Sequence, residues 1–164
     1  MTALDPVILR LLAEFPVEGA TQSGTQLLFL DEAESERNLQ ALTWLQVAKQ
    51  ITGIVDIGLV HSMKPADFRY YLPGLLLGVM REPVETDTLG SAVLFGLHSY
   101  QNPEYWDDDF VEKWCRFTAA QYDLLENLIE PILPDHLGEF YGISAMETLG
   151  LAKMHAADLR GESG

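Results

Sequence analysis

The sequence predicts an all-α protein: a compact single-domain bundle of six to eight helices around a buried, proline-kinked central helix over residues 65–81. Three observations lead there. Apolar residues recur at three- and four-residue spacing along most of the chain, the period of a helix with one inward stripe. The segment Phe68-Arg69-Tyr70-Tyr71-Leu72-Pro73 opens a helix with almost no polar face, and such a helix belongs inside the fold. The 164 residues suffice for one well-buried core and are too few for two comfortable domains, and 48% hydrophobic with 21% charged residues is a globular balance.

The first helix is expected to start at Asp5 as cap with Pro6 in its first position, and Val7, Leu11, Leu12 and Phe15 form its apolar stripe. Residues 16–24 read as a loop, since Gly19, Thr21, Ser23 and Gly24 cluster there. A second helix is expected over 34–48, with Leu39, Leu42, Trp44 and Leu45 inward. Residues 51–63 fit a strand by their Ile and Val content and a short helix by their length and neighbours; the helix is the reading adopted.

On the central helix Phe68, Tyr71, Leu72, Leu75, Leu76 and Val79 share one face, with Leu77 and Met80 on the other side. Pro73 leaves the Arg69 carbonyl without its helical partner, which predicts the kink. Gly74 and Gly78, four apart, give a neighbouring helix room to approach. The next helix starts at Asp87 or Thr88 and runs to Leu97, followed by a Ser-Tyr-Gln-Asn-Pro loop over 99–103. Asp107, Asp108 and Asp109 fall in the first turn of the following helix, where carboxylates meet the positive end of the helix dipole; Phe110, Val111 and Trp114 face inward. Thr118 and Gln121 form a capping box, and Phe117 can staple to Tyr122. That helix carries Leu125, Leu128 and Ile129 and stops near Pro131. Ser144 and Glu147 spell a second capping box, read as the start of a terminal helix to about Leu159. The domain is expected over 1–160, with 161–164 frayed.

Charge narrows the function classes. Twenty-five acidic residues against ten basic ones give a net charge of −15. That balance disfavours nucleic acid and anionic membrane, because phosphate binding needs clustered Lys and Arg. It suits fast encounter with a basic partner, and it also serves plain solubility. The longest apolar run, 72–80, is broken by Pro73, Gly74 and Gly78 and is too short for a membrane span. Without a basic, apolar leader at its start, the chain is expected to be cytoplasmic. Cys115 is the single cysteine, so neither a disulfide framework nor a cysteine zinc site is expected.

No catalytic motif is visible, and no metal or cofactor is expected. His61, His98, His136 and His155 are scattered without metal-ligand spacing and read as surface or second-layer residues. Cys115 beside Trp114 reads as core and not as a nucleophile. Arg69 reads as a buried guanidinium held by Asp56, Asp67 or Glu112, since a buried charge must be paired. Glu104, Asp107, Asp108, Asp109 and Glu112 form the densest acidic patch, without the spacing of a calcium loop. Such a patch is favourable at a helix start with no partner at all. With Tyr105 and Trp106 beside it, it also makes a candidate contact surface for a basic protein. The run Asp31-Glu32-Ala33-Glu34-Ser35-Glu36 carries the same two readings.

Residues Lys64-Pro65-Ala66-Asp67-Phe68-Arg69-Tyr70-Tyr71-Leu72-Pro73 resemble the hallmark of an uncharacterised bacterial domain family, Pro-Glu-Ala-Phe-Arg-Tyr-Tyr-Leu-Pro-Ala preceded by Thr or Ser. Trp44, the stretch 89–97 and Phe117-Thr118 with Gln121 extend the resemblance over roughly residues 40–131. Lys64 departs from the pattern by replacing a capping Thr or Ser, a loss of about 1 kcal/mol, and Gly74 stands in place of Ala. The resemblance implies a small accessory or immunity-type protein with no known enzyme activity.

Two functions follow as expectations. The favoured one is a protein-binding module, an acidic immunity or inhibitor protein that neutralises a cognate basic toxin or effector by direct binding. The alternative is a small helical ligand-binding protein or enzyme with a pocket around Arg69, Tyr70 and Tyr71.

Overall fold

A computed structural model describes residues 6–17, 39, 41–52, 54–55 and 57–162. The expected Asp5 cap, the acidic run over 31–36 and Asp56 lie outside the described residues. Among the described residues all regular structure is helical: α1 (Pro6–Glu14), α2 (Trp44–Val47), α3 (Ile57–Ser62), α4 (Pro65–Arg81), α5 (Asp87–Ser99), a 3-10 turn (Pro103–Tyr105), α6 (Asp108–Trp114), α7 (Ala119–Ile129), α8 (Leu133–His136) and α9 (Gly138–Leu159). Six of these nine α-helices have seven residues or more, so the all-α expectation holds.

Helix α4 occupies the centre. It packs against α2, α5, α6 and α7, and residues 71–79 are buried without interruption. Pro65 occupies the first turn, and Lys64 makes no side-chain cap bond, as its side chain dictates. Pro73 sits inside the helix. The two glycines make the close packing possible. Gly74 lies against the Trp44 backbone and Gly78 against the Ile51 side chain. Tyr71 fastens the same neighbour from the other side, its hydroxyl donating to the carbonyls of Leu39 at 3.0 Å and Leu42 at 3.2 Å. One buried cluster runs from Leu11 on α1 to Ala156 on α9.

The expected continuous helix over 34–48 is not what forms in its described part. Ala41 and Leu42 make a turn, and Thr43, with extended backbone, starts α2 afresh. The physical reason was in the sequence: Thr43 and Gln46 form a capping box, which satisfies two otherwise orphaned N–H groups at that point. Among the described residues of 51–63, Ile57–Ser62 is the helical part, so helix was the right alternative and its extent was shorter.

The capping box at Thr118 and Gln121 forms as read, and Phe117 meets Tyr122 edge-on with centroids 5.7 Å apart. The one at Ser144 and Glu147 does not. Helix α9 is already running there, and the Ser144 carbonyl accepts a bond from the Thr148 hydroxyl at 2.9 Å. Gly138, at φ +74°, makes the chain reversal that begins α9. A glycine is at ease in that region, and other residues are not. At the far end, Gly161 N–H bonds Asp158 O at 3.0 Å and Glu162 N–H bonds Ala157 O at 3.0 Å, with Gly161 at φ +71°. That is a Schellman closure. Residues 161 and 162, expected to fray, terminate the helix instead; 163–164 lie outside the described residues.

Candidate functional site

The acidic segment is built on a short, firmly held turn. Asn102 caps the 3-10 turn, its Oδ1 accepting from Glu104 N–H at 3.0 Å. Trp106 closes the turn from the inside. It is half-buried, its indole N–H donates to Tyr100 O at 2.7 Å, and its ring lies 4.8 Å from Phe110 and 5.7 Å from His155 on α9. Tyr105 points the other way and is 74% exposed. The two aromatic residues that the sequence nominated together therefore have different fates. Trp106 holds the turn, and Tyr105 is displayed by it.

The five carboxylates also divide. Asp107 caps α6: one oxygen accepts from Phe110 N–H at 2.8 Å and the other from Tyr100 OH at 2.7 Å. The Phe110 bond foremost, and then the Tyr100 bond, hold its carboxyl below the usual range, and the bond to Asp107 pushes the Tyr100 hydroxyl up. Asp109 pairs with Lys113 at 2.8 Å. Glu112 is bonded by Arg116, which lowers its carboxyl too. Glu104 and Asp108 are exposed and take part in none of the ion pairs among the described residues. The Lys113 and Arg116 partners went unread in the sequence, although Asp109 with Lys113 and Glu112 with Arg116 stand four apart, the spacing at which helical ion pairs form.

The hallmark residues separate in the same manner. Phe68 is buried and meets Trp114 edge-on at 5.2 Å, with Lys113 Nζ 5.6 Å from its ring centre. Leu72 and Pro73 are core. Arg69 was expected to be buried, but its side chain is 27% exposed. Of the carboxylates proposed for it, Glu112 is beside it. The Arg69 guanidinium donates to the Glu112 backbone carbonyl and lies 3.9 Å from its carboxylate. Partial burial holds the guanidinium below its ordinary value. Tyr70 is half-buried and donates to Val17 O at 2.7 Å.

A cleft of about 230 Å³ is lined by Phe15, Pro16, Arg69, Tyr70, Arg116, Phe117 and Gln121. Tyr71 is not part of it, being turned into the core. The polar groups of this cleft are already engaged: Tyr70 with Val17, Gln121 with Glu14 O at 2.8 Å, and both arginines with Glu112.

Two further groups bear on chemistry. Cys115 is buried, and burial pushes its thiol up to about 12, which makes it a poor nucleophile at neutral pH. His136 is not a surface residue. Its side chain wedges between α8 and α5, its Nδ1 is 3.0 Å from Asp87 O, and Gly90 leaves the space it fills. Among the described residues no group of three or more His, Cys, Asp or Glu is arranged to hold a metal ion, and no helix is long and apolar enough to cross a membrane.

Sequence reasoning missed one surface. Between α8 and the first half of α9 runs a groove of about 500 Å³, with Phe140 and Ile143 exposed on α9. Starting that helix at Ser144 had placed both residues outside it. The signal available was Gly138 followed by Glu139, a glycine able to turn the chain and an acidic residue in the first turn of the helix. The chain matches no protein-family model, no curated protein and no solved structure.

Proposed function

We propose that this chain is a protein-binding module, an acidic immunity or inhibitor protein that neutralises a cognate basic toxin or effector by direct contact. The observation that carries this reading is the outward display of Tyr105. It is 74% exposed on a turn fixed by Asn102, Trp106 and Asp107, with Glu104 and Asp108 beside it outside any described ion pair. A rigid aromatic anchor loses little freedom on binding, and interfaces favour tyrosine for that reason. Carboxylates around such an anchor steer a basic partner and set its orientation. The family resemblance of residues 64–73 points to the same class.

The test is binding kinetics of the full chain against the products encoded beside its gene, at low and high salt. Tyr105→Ala is expected to speed dissociation about tenfold or more, as for an interface anchor. Glu104→Gln with Asp108→Asn is expected to slow association and flatten its salt dependence. Tight binding untouched by all three changes moves the contact elsewhere. If none of those products binds, the inhibitor reading fails and the ligand pocket beside Arg69 and Tyr70 becomes the better one.

A further inference from the structure

The groove between α8 and α9 has an apolar floor, an acidic rim and no cation. Leu133, Pro134, Ile143 and Met146 supply the floor, and Glu130, Glu139 and Glu147 stand around it. The local sequence makes the groove. Gly138 at φ +74° folds α9 back along α8. Gly142 lets the helices close, since a Cβ there would sit 3.3 Å from Leu133 Cβ. Glu139, Ile143, Met146 and Glu147 then fall on one face of α9 by helical spacing. Ile143 is 64% exposed, and Phe140, one turn back, is 77% exposed. Exposed apolar surface framed by polar residues marks an interaction site.

The chemistry of the lining selects the occupant. A second copy of this chain would bring its own charge of −15 and its own three glutamates to the contact. Like charges brought together in that way oppose association. A small ligand needs a few polar groups placed to orient it. The lining offers only carboxylates as polar side chains. A helix with an apolar stripe and lysine or arginine flanks meets both features, its stripe on the floor and its cations on the rim, in the helix-in-groove mode. Met146 makes part of that floor adaptable, as in other grooves of this kind.

We propose that this groove is a docking site for a basic amphipathic helix of a partner protein. It is a second surface, separate from the Tyr105 turn. His155, which touches Trp106, lies about 18 Å along α9 from Ile143 at 1.5 Å rise per residue. A partner that engages both would gain from linkage of the two contacts.

The experiment titrates the full chain into a fluorescent synthetic peptide, a helix with Leu and Trp on one face and Lys on its flanks, read by anisotropy. Controls are a composition-matched scramble and a version with Glu for Lys. The designed peptide is expected to bind at least about tenfold more tightly than the scramble, because face matching is what the groove reads. The acidic version is expected not to bind. Ile143→Asp should weaken binding about tenfold or more, as loss of a central apolar contact does. Glu139→Lys with Glu147→Lys should weaken it and reduce its salt dependence. Circular dichroism checks that each variant is folded, and the double charge variant carries the test if Ile143→Asp is not. Equal binding of designed and scrambled peptides, binding that survives these variants, or no binding at all overturns the proposal. So does sedimentation as a dimer that Ile143→Asp dissolves, which would give the face to a second copy. The readout is a peptide on the groove, so this proposal and the Tyr105 reading can fail separately.

Discussion

A Cβ placed on Gly74 would come 2.1 Å from the carbonyl oxygen of Trp44. No side-chain adjustment relieves that contact, because the obstacle is backbone. The α2 segment would have to retreat from the central helix, and the Tyr71 bonds to Leu39 and Leu42 would loosen with it. Gly74→Ala is therefore expected to destabilise by about 3 kcal/mol, the upper part of the range for overpacking. Gly150 on α9 has nothing within 4 Å of a built Cβ. Gly150→Ala is expected to stabilise by about 0.5–1 kcal/mol through helix propensity. Urea denaturation of both variants checks the pair, and an equal effect at the two positions would remove the steric explanation.

Phe68→Ala should cost about 3–5 kcal/mol, since the ring is buried against Trp114 and under Lys113. Thermal melting measures it. An unchanged midpoint would place Phe68 outside the energetic core.

Arg69 should matter less than a buried charge would. Breaking a buried pair costs about 3–5 kcal/mol, but here both side chains reach solvent. Glu112→Gln is expected to cost less than about 1 kcal/mol, as for an exposed pair. Arg69→Met is expected to cost about 1 kcal/mol, through the lost bond to the Glu112 carbonyl. A loss above about 3 kcal/mol from Glu112→Gln would restore the buried-pair description.

Asp107 gives the pH prediction. Its folded-state carboxyl lies below its ordinary value, chiefly through the Phe110 N–H bond. Stability from this group is therefore present above the unfolded value of about 3.9 and is lost as pH falls through the folded value. Asp107→Ala should cost about 1 kcal/mol at neutral pH as a lost cap. Asp107→Asn keeps a capping side chain but removes the titration, so its difference from the parent should shrink below about pH 4. Urea midpoints from pH 7 downward test this, and a difference that stays constant into acid would mean another group controls the dependence.

The central helix was legible because apolar period, Pro65 and the two glycines all agree from one end to the other. The acidic segment was legible as a place and not as a surface. Nothing in the order Tyr105-Trp106 tells which ring turns inward; Tyr100 O, Phe110 and His155 decide it, and the last of these comes from α9, far along the chain. The break before α2 was written locally in Thr43 and Gln46 but was masked by the apolar rhythm around it. The start of α9 was lost the other way, because Ser144 and Glu147 imitate a cap inside a helix that Gly138 had already begun.

The burial of Cys115 supplies a clock for the whole fold. A thiol pushed up to about 12 and shielded by α6 and its neighbours reacts with a disulfide reagent only after the protein opens around it. As the single cysteine of the chain, it gives one labelling event per molecule. The rate of that event under native conditions then counts the openings, local or global, that expose this one position. The same chain, without any added probe, reports how often its centre comes undone.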